Sequence, residues 1–108
     1  MTYRDKSHTL ALTLVLAFCP LAAQAVSKGE TLAREKACLS CHSVAKKVIG
    51  PAYKDVAKKY RHDARAPARL FDKVRQGGQG VWGKVPMPPQ TELSDDELKT
   101  ILSWVLQQ

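Results

Sequence analysis

Cys38-Leu39-Ser40-Cys41-His42 is the densest group of reactive side chains in the sequence. Two thiols three residues apart, followed at once by an imidazole, form the attachment pattern of c-type haem. On a helical turn each thiol can add to one vinyl group of a porphyrin, and the next residue can offer a ring nitrogen to the iron. A zinc site needs about four ligands, and His62 is the only further candidate beyond the first stretch, far along the chain. A thioredoxin-like redox pair needs a βαβ context, and no alternating period-2 run exists. A disulfide between these two cysteines would close a loop too small to stabilise much. Cys38 and Cys41 are therefore expected to hold one covalent haem c, with His42 as an axial iron ligand.

The opposite axial position calls for a second ligand. Six-coordinate electron-transfer haems take Met or His there, and Met raises the potential. Apart from Met1, the sole methionine is Met87, set in Val85-Pro86-Met87-Pro88-Pro89. Three prolines hold a rigid, non-helical loop around one soft sulfur atom. That is a poor way to fill a core, so Met87 is expected to be the second ligand. His62 lies among Arg61, Asp63 and Arg65 and reads as solvated. Gly78-Gln79-Gly80-Val81-Trp82-Gly83 matches G-x-G-x-x-G, but no strand precedes it and prolines follow it. The dinucleotide-binding reading fails on context.

Helices must position these groups. Ser27 and Glu30 form a capping box that opens a helix running toward Cys38. Gly50-Pro51 ends a basic loop, and Pro51 suits the first turn of a helix through Tyr60. In that helix Tyr53, Val56, Ala57 and Tyr60 recur at helical spacing. A third helix is expected from near Pro67 to Arg75, with Leu70, Phe71 and Val74 on one face and Gly77-Gly78 stopping it. Residues 77–90 are loop by composition, with four glycines and three prolines. Ser94 and Glu97 form a second capping box, Leu93 and Leu98 can staple across it, and Leu98, Ile101, Leu102 and Val105 make the apolar stripe. The fold class is all-α.

The whole sequence has 108 residues, 17 Lys+Arg against 10 Asp+Glu, and three cysteines. That is one domain at most. It excludes a large enzyme with its own nucleotide domain and a disulfide-dense scaffold. Arg4 and Lys6, the apolar run from Leu10 to Phe18, and Ala23-Gln24-Ala25 read as a secretory signal peptide over 1–25, cleaved after Ala25. The run is well short of the roughly 20 residues of a spanning helix. Phe18 directly before Cys19 makes a poor lipidation site, so Cys19 reads as part of the signal. Residues 26–108 then form the working domain, and the charge falls from +7 to +6 with the loss of two basic residues and one acid. A domain this small gains from a cofactor in its core.

With these residues assembled, the sequence resembles the short bacterial class I cytochromes c, the c-551 and c-552 type. The resemblance covers essentially all of 26–108. It rests on Cys38-Leu39-Ser40-Cys41-His42, Gly50-Pro51-Ala52-Tyr53-Lys54-Asp55-Val56-Ala57, Gly80-Val81-Trp82-Gly83, Pro86-Met87-Pro88-Pro89, Ser94-Asp95-Asp96-Glu97 and Trp104-Val105-Leu106. It implies four to five helices around one haem. It also implies that the Pro51 carbonyl accepts a hydrogen bond from His42 and that Trp82 donates to a haem propionate. Lys73 stands where many relatives carry an Arg near the propionates, and is a less directional donor. Gln90 stands where many carry an Asn that touches the Met sulfur.

The implied function is a periplasmic monohaem carrier shuttling one electron between respiratory redox proteins, without catalysis. The resemblance suggests a donor such as the bc1 complex and an acceptor such as a nitrite reductase or a terminal oxidase. Two propionates would lower +6 to about +4. Lys46, Lys47 and Lys84 are candidates to steer the haem edge to acidic docking surfaces, while Lys58-Lys59 reads as a solvated face. No nucleic-acid partner and no stable membrane insertion are expected, and the carrier is expected to be a monomer. The alternatives are a gas sensor or peroxidase with an open iron site, and a fixed haem subunit of an oxidoreductase complex.

Overall fold

Residues 25–108 are described by the computed structural model; the signal-peptide expectation for 1–25 lies almost wholly outside them. Ser27 caps the first helix, α1 (Lys28–Glu35), by accepting the Glu30 backbone N–H at 3.2 Å. The helix ends sooner than its apolar pattern suggests, because Ala37 adopts a left-handed conformation with φ 59°. A short 3-10 turn, Cys38–Ser40, follows.

The second helix, α2 (Tyr53–Tyr60), begins two residues after Pro51, with Ala52 at its N-cap in extended conformation. Pro51 thus sits outside the helix, and its carbonyl is free for other use. The third, α3 (Ala66–Gln76), carries Pro67 in its first turn, where a missing N–H costs nothing. Its C-cap is Gly77. The fourth, α4 (Asp95–Val105), has the complete Ser94/Glu97 capping box, with bonds of 3.2 and 2.9 Å. Among the described residues the one departure from helix and loop is an antiparallel bridge between Gly78 and Met87.

Each amphipathic helix turns its apolar stripe inward. Tyr53, Val56, Leu70, Leu93, Leu98, Ile101, Leu102 and Val105 form the buried core with Ala33. Leu98 is 1% exposed, and burying a leucine side chain contributes about 1.5–3 kcal/mol. Phe71, Val74 and Tyr60 pack against the core without full burial. The two helices farthest apart in sequence, α1 and α4, pack most extensively. Gly29 makes the crossing possible: a Cβ there would collide with the Trp104 side chain and stand 2.9 Å from the Thr100 carbonyl oxygen.

Candidate haem site

The 3-10 turn brings the two thiols together. In such a turn residues i and i+3 eclipse, and the Cys41 and His42 backbone N–H groups both donate to the Cys38 carbonyl, at 3.3 and 3.1 Å. Both cysteines are free thiols; Cys38 is half-buried and Cys41 exposed. Burial pushes the Cys38 thiol above its ordinary pKa.

The loop after His42 folds back onto it. Gly50 N–H donates to the Cys41 carbonyl at 2.7 Å, Tyr53 N–H to Ser43 and Lys54 N–H to Val44, each at 3.0 Å. These bonds bring the Pro51 carbonyl oxygen to 2.8 Å from His42 Nδ1. A carbonyl can only accept, so Nδ1 donates, and in the neutral imidazole Nε2 is the nitrogen with the lone pair. Tyr53 stacks on the imidazole, with ring centroids 5.1 Å apart and planes 18° from parallel. Trp104 meets Tyr53 edge-on at 5.4 Å. Burial holds the Tyr53 phenol well above its usual range. Gly50 is packed so closely that a Cβ would stand 2.8 Å from His42 Nδ1.

Met87 is held by a second loop. Gly78 and Met87 exchange both backbone hydrogen bonds, at 2.9 and 2.8 Å. Gly77, at φ 70°, turns the chain out of α3, and a Cβ there would stand 2.7 Å from Pro89 N. Gln90 N–H donates to the Val74 carbonyl at 3.0 Å, while its side-chain amide donates to the Pro88 carbonyl at 3.1 Å. The Lys73 ammonium lies beside Gly78. Cys38, Cys41, His42 and Pro51 thus share one loop, Met87 and Lys73 border the other, and Cys38 and Trp82 pack against the same core. His62 is exposed.

Several residues in these contacts carried no sequence signal. Tyr53 looked like an ordinary core position on a helical stripe. The Lys59 ammonium, though exposed, lies over the Trp82 and Tyr60 rings, 5.6 and 5.9 Å from their centroids. Arg75 reaches from α3 to the Gln90 and Leu93 carbonyls at 2.8 and 2.7 Å. Lys58 and Lys59 are both exposed, as the solvated-face reading expects.

The residues present suit a haem. Two thiols, an imidazole with one nitrogen already satisfied and a thioether in a fixed loop are the groups that could hold its vinyl carbons and its iron. Val48 and Ile49 in the first loop, and Val81 and Val85 in the second, are each more than half exposed. Apolar side chains left at the surface of two such loops fit a large apolar ring that would cover them.

Comparison with known proteins agrees in sequence and in shape. The cytochrome c family model matches residues 26–108. Cytochrome c-551 of Pseudomonas aeruginosa is 46% identical, over 91% of this chain and 95% of that one. Cytochrome c-552 of Hydrogenobacter thermophilus is 49% identical, over 72% and 79% respectively. The crystal structure of Nitrosomonas europaea cytochrome c552 superposes with a TM-score of 0.68 at 43% identity, covering 70% of this chain and 94% of that one.

Proposed function

The chain belongs to the cytochrome c family and its cofactor is covalently bound haem c; from that premise we propose that it is a soluble periplasmic carrier of single electrons, with iron held by His42 and Met87. Bound haem supplies a one-electron redox centre, and thioether ligation together with burial favours its reduced form.

The observation that carries the reading is the 2.8 Å contact between His42 Nδ1 and the Pro51 carbonyl. It leaves Nε2 as the ring nitrogen available to iron and fixes the orientation of the ring, as outer partners of metal-bound histidines do. Tyr53 blocks rotation of the same ring. Across the site, the prolines and the Gly78 bridge restrict how far the Met87 sulfur can travel. Two ligands that move little between oxidation states keep the reorganisation energy small, which is what a carrier requires. The same two ligands would leave no iron position open for a substrate.

Lys46, Lys47 and Lys84 are exposed on the two loops that carry His42 and Met87, beside the exposed Val48, Ile49, Val81 and Val85. A basic rim around an apolar patch suits brief docking on acidic redox partners. Trp82 and Lys73 are proposed as donors toward the propionates. Residues 1–25 are proposed to be the export signal, and the carrier to act as a monomer.

The test is to purify the ferric holo-protein and record the weak Met–iron charge-transfer band, then repeat with Met87→Ala. The band should vanish, and the reduced variant should bind CO at neutral pH while the parent does not. The potential should fall by on the order of 0.1 V, within the roughly 0.8 V that axial ligands span. An unchanged spectrum sinks the ligand assignment. Oxidised periplasmic enzymes of the same organism should take an electron from the reduced parent; failure with all of them counts against the carrier role.

A further inference from the structure

We propose that Arg75 is a positioning residue for Met87, clamping the return segment of its loop against α3. This rests on the reading of Met87 as an iron ligand.

The geometry is a three-point hold. Arg75 Nη1 donates to the Gln90 carbonyl at 2.8 Å and to the Leu93 carbonyl at 2.7 Å. Nη2 donates to Asp95 Oδ1 at 2.8 Å. The guanidinium carbon also lies 5.3 Å from the centre of the Phe71 ring, one helical turn back on α3. One planar side chain therefore pins the connection from Gln90 to the start of α4. Among the described residues, no other side chain from outside 88–95 donates a hydrogen bond to that segment.

Its place in the chain gives this hold a purpose. Upstream, Met87 is tied to Gly78 by backbone bonds alone. Downstream, the next tie to the body of the protein is the Gln90–Val74 backbone bond, and Arg75 grips the same residue from its carbonyl side. Pro88 and Pro89 lack N–H groups and cannot contribute ladder bonds of their own. For the sulfur to leave the iron, the segment between these ties must swing outward. Arg75 opposes that swing with charge-assisted bonds to two carbonyls while keeping three-quarters of its side chain out of solvent. A lysine has one nitrogen to place where the arginine uses two, Nη1 on the carbonyls and Nη2 on Asp95, and it lacks the planar fork. The ion pair to the largely exposed Asp95 contributes least.

Cyanide binding to the ferric holo-protein tests the proposal, because cyanide enters only after the sulfur leaves. Arg75→Met should accelerate binding about tenfold, from loss of bonds by a charged donor. Arg75→Lys should fall between that variant and the parent. Ser27→Ala, which weakens the cap of α1 far from the loop, serves as the control for general destabilisation. It should leave the cyanide rate unchanged although it too lowers the melting temperature. Amide exchange at Gln90 should quicken in Arg75→Met only. Arg75→Met rates equal to the parent's, or raised no more than by Ser27→Ala, overturn the proposal alone. A parent lacking the Met–iron band, with a spectrum that Met87→Ala does not alter, overturns the ligand reading and the proposal with it.

Discussion

His42 and Tyr53 are stacked, 5.1 Å between ring centroids, and Trp104 of the last helix meets Tyr53 edge-on. The imidazole is therefore fixed in two ways. Pro51 sets its tautomer, and an aromatic ladder reaching α4 sets its plane. Tyr53→Leu should lower stability by about 1–3 kcal/mol through loss of the aromatic contacts and of packing volume. Tyr53→Phe should stay within about 0.5 kcal/mol, since it keeps the ring and its contacts with His42 and Trp104. Denaturant titration of both variants decides it, and equal losses would mean that the hydroxyl rather than the ring matters.

Gly50→Ala probes the space beside His42. A methyl group there would press on the imidazole, so the ring or the loop has to shift. The expected result is weaker binding of the Pro51 carbonyl to Nδ1 and a stability loss of about 1–3 kcal/mol, in the range of overpacked sites. Thermal unfolding and the low-spin spectrum of the holo-protein check it. A variant indistinguishable from the parent in both would show that the loop yields freely.

Acid should weaken the last helix through Glu97. Its carboxyl is held below the usual glutamate pKa, chiefly by the Ser94 backbone N–H and then by Lys36. A depressed pKa gives stability that is present above the unfolded value of about 4.3 and is lost as pH falls through the lower folded value. Glu97→Gln should thus melt below the parent at neutral pH, and the gap should close on acidification below about pH 4. A gap independent of pH would remove the carboxylate from the account.

Electron transfer to an acidic partner should slow as salt is added, because exposed charges are screened beyond about 10 Å at 0.1 M. Lys46→Glu, Lys47→Glu and Lys84→Glu should each lower the low-salt rate several-fold by charge reversal near the docking face. Lys58→Glu, on the outer side of α2, should have little effect. Stopped-flow rates against ionic strength separate the two groups, and uniform effects would point to net charge alone.

What could be read from the sequence was whatever chemistry is local. Cys38, Cys41 and His42 announce themselves because attachment demands fixed spacing, and Ser94 with Glu97 marks a helix start because the capping box spans three residues. Met87 stood out through its flanking prolines. The end of α1 was less visible, since Ala37 takes a left-handed conformation that usually advertises itself as glycine. Contacts between distant segments left no trace. Nothing in the chain says that Gly29 will face Trp104, that Tyr53 will stack on His42, or that Arg75 will reach residues 15 to 20 positions ahead. The contact of the exposed Lys59 with Trp82 belongs with them, since only the folded loop sets that ring beneath its ammonium.

The pairing of α1 with α4 also bears on the order of events as the polypeptide is made. Synthesis runs from the N-terminus, so α1 and the Cys38–His42 turn emerge long before Asp95–Val105 exists to cover Gly29 and Ala33. An unpartnered helix of eight residues is marginal in water. Through that interval the Cys38–His42 turn has no lasting tertiary anchor. Docking of the final helix then covers Gly29 and completes the core around Ala33.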